Sequence, residues 1–231
     1  MGYLIYTDIF ATKGIEYLLV IGFLIALILF WRLLRGSEIG PEAAGAESGS
    51  YAPGWFLVPD GLYFHRGHTW AKPEAGGIVT IGMDDFAQKL VGKPSALALP
   101  RVGEVLEQAK SGWKVEVDGK TLEMLSPVQG EVVAVNEEVA KRPDIVNSDP
   151  YQKGWLLKLK DRRLNADLKN LLTGKLARAW MEDVEDALRQ RIYGDLSAAL
   201  PDGGVPVSGI ARSLDPENWE QVAREFLLTD Q

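Results

Sequence analysis

The sequence predicts a mainly β domain with C-terminal helices, preceded by one transmembrane helix. Short runs of alternating apolar and polar residues, split by Gly76-Gly77, Asp118-Gly119 and Gly130, fill the stretch up to Lys160. An uncharged apolar run, Tyr17 to Trp31, lies before them. After Leu164 the apolar residues recur at three- and four-residue spacing, the period of a helix.

The apolar run comes first. Extended from Gly14 to Leu34 as a helix, it reaches roughly 30 Å at ~1.5 Å per residue, enough to cross a bilayer core. Tyr17 and Trp31 suit the two interfaces, and Arg32 can snorkel to the headgroups. Met1 to Asp8 holds no basic side chain, and no small-x-small site follows the run. A retained single-pass anchor over residues 1–35 is therefore expected rather than a cleaved signal peptide. Arg32 and Arg35 follow the run, whereas Lys13 is offset by Asp8 and Glu16. This asymmetry puts the C-terminal domain on the cytoplasmic side of the cytoplasmic membrane. Residues 36–54, rich in Gly, Ala, Ser, Glu and Pro, read as a flexible linker.

The domain is assigned to residues 55–192 and opens at Trp55-Phe-Leu-Val58. Asp84 reads as the N-cap of a short helix through Val91. Asp118-Gly119 between alternating segments signals a two-residue hairpin, because a type I′ turn needs positive φ at both central positions. Ser126 to Asn136 reads as a turn and a strand, and Lys158-Leu-Lys160 closes the sheet region. Leu164, Leu168, Leu171 and Leu172 precede a break at Thr173-Gly174. Leu176, Trp180, Val184, Leu188 and Ile192 then continue at i+4 spacing. In the extension, residues 193–231, Pro201-Asp-Gly-Gly204 marks a turn and Val205 to Ala211 reads as extended. Asp215-Pro216 starts a helix with Trp219, Val222, Ala223, Phe226 and Leu227 on one face. A helix this short needs a surface, on the domain or on a partner protein.

Composition removes several function classes. The absence of cysteine excludes disulfides, Cys-ligated metals and thiol catalysis. The net charge is −7; residues 1–35 carry +1, so the remainder is at −8 and nucleic acid is not expected as a partner. His65 and His68 are the only histidines and no metal site is expected of them. Asp84-Asp85 reads as a solvated helix cap, since adjacent residues do not converge on one helix face for acid–base chemistry. No phosphate loop or serine-nucleophile motif is present, and no catalytic residue is assigned.

Several segments resemble a known family when taken in order: His68-Thr-Trp70, Ile78 to Gln88, Gly103-Glu-Val-Leu-Glu, Val115 to Met124, Ser126 to Asn136, and Asp144 to Leu159. Over roughly Leu57 to Ile192 the chain resembles the H protein of the glycine cleavage system. The resemblance implies a lipoyl/biotinyl-carrier-like flattened β-barrel or sandwich with a C-terminal helix. It also implies a non-catalytic domain that carries lipoate on a hairpin-tip lysine, three residues after a glutamate. Aligned without gaps between Gly103 and Gly130, Glu116 takes the glutamate position and Gly119 the lysine position, with Lys120 one residue late.

Two readings follow from that register. In the preferred one, the domain is a membrane-tethered, unlipoylated binding or scaffold subunit that meets protein partners through its C-terminal helices. The alternative is a lipoyl carrier of a glycine-cleavage-like or redox system, with lipoate on Lys120.

Overall fold

Ten strands among the described residues follow the alternation of the sequence. In the computed structural model they are β1 (Tyr63–His65), β2 (Thr69–Pro73), β3 (Ile78–Met83), β4 (Ala96–Ala98), β5 (Val105–Leu106), β6 (Ser111–Val117), β7 (Lys120–Leu125), β8 (Gly130–Val135), β9 (Leu157–Lys160) and β10 (Leu172–Thr173). The structure describes Tyr17, residues 19–27, Phe30 and residues 54–161, 163–193 and 208–229.

The chain divides into two units, residues 1–50 and 51–231. In the first, the described residues are helical and exposed. Among the described residues no helix is long and apolar enough to cross a membrane. The rest of the expected anchor, and the linker as far as residue 53, lie outside the described residues, as does the turn expected at 201–204.

In the second unit the strands form two antiparallel sheets, ordered β10-β1-β2-β3-β9-β8-β5 and β4-β6-β7. Alternation decides which face turns inward. Val115 and Val117 of β6 and Leu122 and Met124 of β7 are buried in one core with Val79, Ile81, Val132, Leu157 and Leu159 of the larger sheet. The result is the expected sandwich with helices around it.

Among the described residues of this unit seven α-helices surround the sheets: α1 (Asp85–Val91), α2 (Glu137–Lys141), α3 (Ile145–Ser148), α4 (Leu164–Asp167), α5 (Gly174–Tyr193), α6 (Ile210–Leu214) and α7 (Trp219–Leu227). Asp84 caps α1 as expected, its Oδ1 accepting from Ala87 N at 2.8 Å.

Five expectations are corrected. Asp84 and Asp85 are buried rather than solvated: Asp85 Oδ2 accepts from Leu57 N and Lys89 Nζ, and Oδ1 accepts from Gln88 Nε2, so hydrogen bonds offset its desolvation. The leucine spacing after Leu164 resolves into one short helix, a 3-10 turn and β10. Along α5 the inward face is Ala177, Met181, Glu185 and Leu188, flanked by Trp180 and Val184, which pack against the core as expected, whereas Leu176 is 69% exposed and Ile192 37%. Steps of four residues drift by about 40° on a 3.6-residue helix, so Leu176 and Ile192 stand roughly 160° apart and cannot share a face. Finally, Ile210-Ala211 opens α6 instead of extending, and Asp215 caps a turn before α7 rather than α7 itself. Asp215 Oδ1 accepts from Glu217 N and Asn218 N; the hydrogen bond from Asn218 N holds the carboxyl below its ordinary value.

Candidate functional site

The hairpin β6–β7 is the candidate site. Asp118 and Gly119 have φ of 48° and 74°, the positive pair that a two-residue turn demands. Val117 and Lys120 face each other across the ladder and close the hairpin, with Glu116 opposite Thr121. A Cβ added at Gly119 would meet nothing within 4 Å, so the tip is open space.

Strand period separates the three candidate residues. Lys120 lies in the same row as Leu122 and Met124, the inward row of β7, because side chains two apart share a face. Glu116 is on the outward row of β6. One residue of displacement from the tip therefore moves the amine from the apex to the inner face. There it meets α7: Lys120 Nζ is 3.3 Å from Glu220 Oε2. The other arm of the turn is engaged as well, with Asp118 in an ion pair with Arg212 of α6. The tip position itself carries no amine. The residues present do not offer lipoate an apical attachment point; the nearest amine is that of Lys120.

A buried polar and aromatic cluster lies at the start of α1. His68, 1% exposed and at φ 60°, places Nδ1 2.9 Å from Asp84 Oδ2. A carboxylate only accepts, so this nitrogen donates. The imidazole stacks on Phe86 at 4.0 Å and Trp180 at 4.8 Å. Trp70 Nε1 donates to the carbonyls of Met83 and Pro150. Stacked on both rings and bonded through Nδ1, His68 fastens α1 and α5 to the β1–β2 turn. His65 accepts from Gly67 N, and burial with His68 nearby lowers its pKa. Among the described residues no group of three His, Asp or Glu converges as a metal site would require. Tyr151 donates to Leu57 O and accepts from Asp85 N, and burial pushes its phenol well above the ordinary value.

Glu185, Arg212 and Glu220 were not among the sequence candidates. Glu185 is buried on α5, where its Oε1 accepts from Phe56 N at 3.2 Å and burial raises its carboxyl. Arg212 and Glu220 act on residues about a hundred positions away, and no local pattern signals that.

Residues 62–184 match the family model described as glycine cleavage H-protein. The chain is 38% identical over 122 residues to a probable glycine cleavage system H protein of Pyrococcus furiosus, covering 53% of this chain and 90% of that one. It is 41% identical over 117 residues to a glycine cleavage system H protein of Carboxydothermus hydrogenoformans, covering 51% and 88%. The crystal structure of a glycine cleavage system H protein from Mycobacterium marinum is similar at a TM-score of 0.45 and 23% identity, covering 55% of this chain and 98% of that one.

Proposed function

This chain belongs to the glycine cleavage H-protein family, and we propose that it is a membrane-tethered, non-catalytic scaffold member whose hairpin bears no lipoate. The register at the hairpin carries this reading: Gly119 stands at the tip and Lys120 is turned inward toward Glu220. A swinging arm works by visiting distant sites from an apex, and an amine on the inner row is poorly placed for that.

The tether is read from the uncharged run Tyr17–Trp31, and the charge excess of Arg32 and Arg35 favours the cytoplasmic side for the domain. Its contribution would be a raised local concentration at a membrane-bound complex. Partner contact is assigned to the C-terminal helices. The apolar face of α7 is already buried, so the outward face of α5, with exposed Glu182, Asp183 and Asp186, is the better contact and suits a basic partner surface. A carrier using Lys120 is the second reading, favoured by a side chain that is 57% exposed.

Intact mass of the protein from its native host, with peptide mapping across Val115 to Met124, decides between them. The scaffold reading expects an unmodified Lys120 in cells whose other carriers are lipoylated. A lipoyl-sized addition there sinks it. Carbonate extraction of the membrane fraction checks the tether, which release of the full chain into the supernatant would rule out.

A further inference from the structure

Both sides of the hairpin turn are held by one C-terminal segment that lies outside the family match at 62–184. Trp219, Val222, Ala223 and Leu227 of α7 are at most 6% exposed and belong to the core that contains Leu122 and Met124 of β7. Phe226 packs on Phe86 of α1 at 5.4 Å. The segment is also fastened at its start. Gly209 N donates to Lys89 O at 2.7 Å, with Gly209 at φ 88°, and the Arg212 guanidinium lies over the Trp219 ring at 5.2 Å. Arg191 of α5 pairs with Glu225 at 2.6 Å.

Exposed ion pairs contribute little each, so apolar burial holds the segment and the charges orient it. A small reagent can reach Lys120, whose side chain is 57% exposed. An enzyme that must surround the tip meets α6 beside Asp118 and α7 beside Lys120, on the inner side of the hairpin.

We propose that α6–α7 is an intramolecular cover of the β6–β7 hairpin that bars a lysine-acylating enzyme from it. This inference rests on the scaffold reading and adds a second, independent barrier to modification. Restoring a lysine to the tip would then not restore a carrier.

The test uses the full chain with Gly119→Lys and Lys120→Arg, which keeps a cation for Glu220 but no acylatable amine there, incubated with a lipoate–protein ligase, ATP and lipoate. In that reaction the lipoate carboxylate takes AMP from ATP as pyrophosphate leaves; the lysine Nζ then attacks the lipoyl adenylate, an amide bond forms, AMP leaves, and the amine proton passes to water. The comparison adds Arg212→Glu with Glu220→Lys, or separately Trp219→Ala, to loosen the cover, while hydrogen exchange on β8 and β9 reports the remaining fold. Acetylation by a small activated ester should label the lysine introduced at the tip in all three proteins. Ligase labelling should be faster by about tenfold or more once the cover opens, since it follows the open population. Equal ligase rates with the cover intact would overturn the cover. So would failure to label either loosened protein while β8 and β9 stay protected. The scaffold reading fails on different material, by lipoate on Lys120 of the native protein.

Discussion

Lys120 Nζ lies 3.3 Å from Glu220 Oε2, joining the first residue after the hairpin turn to the second residue of the last helix. The pair exists because Lys120 falls on the inner row of β7, one position past the open tip at Gly119. At that position the amine pairs with α7 instead of standing at the tip.

That pair should matter little for stability. The two side chains are 57% and 25% exposed, so solvent screens their attraction. Lys120→Ala is expected to cost at most about 1 kcal/mol in urea unfolding. A loss above about 2 kcal/mol would assign Lys120 a buried role the geometry does not suggest.

Trp219→Ala should behave differently. Its ring is 6% exposed, belongs to the main core and stacks under Arg212. A cost of roughly 3–5 kcal/mol is expected for removing a buried aromatic. If the urea midpoint barely moved, α7 would be an appendage and not part of the folded unit.

Asp84 holds two partners, Ala87 N at the start of α1 and Nδ1 of His68. Asp84→Ala removes a cap, worth about 1 kcal/mol, and leaves a buried imidazole donor unpaired, costing about 1–3 kcal/mol more. Thermal unfolding should register the sum, while Asp84→Asn, which retains an acceptor for Ala87 N, should lose less. Equal losses for the two variants would contradict the capping role.

Glu185 makes stability depend on pH. Burial raises its carboxyl above the ordinary 4.5, so the folded chain holds a proton that the unfolded chain releases. Its favourable contribution is complete below the ordinary value and is lost as pH rises through the raised one. Glu185→Gln stays neutral and keeps an acceptor for Phe56 N. The melting temperature of the variant minus that of the parent should therefore grow as pH rises from about 4 to about 7. A difference that shrinks over that interval would reverse the sign assigned to the group.

Local chemistry was legible wherever it depends on near neighbours. Asp118-Gly119 announced its turn because few residues tolerate consecutive positive φ, and Asp84 announced its cap because its side chain reaches only three residues along. The buried face of α7 was readable from spacing alone. The α5 face was readable only in its middle, at Trp180, Val184 and Leu188, because an i+4 ladder winds around the helix and carries its two ends away from the core. The burial of Asp85 was hidden: its partners Leu57 and Tyr151 come from distant segments.

The sequence by itself determined the family, the hairpin and the face that Lys120 takes, since a period of two leaves no freedom about it. Only the tertiary structure decided what that face meets. Whether α7 packs on its own domain or on a partner depends on the fit of Trp219, Val222 and Leu227 against β7 and α1. Complementarity between surfaces a hundred residues apart is a property of the folded core, and no local pattern encodes it.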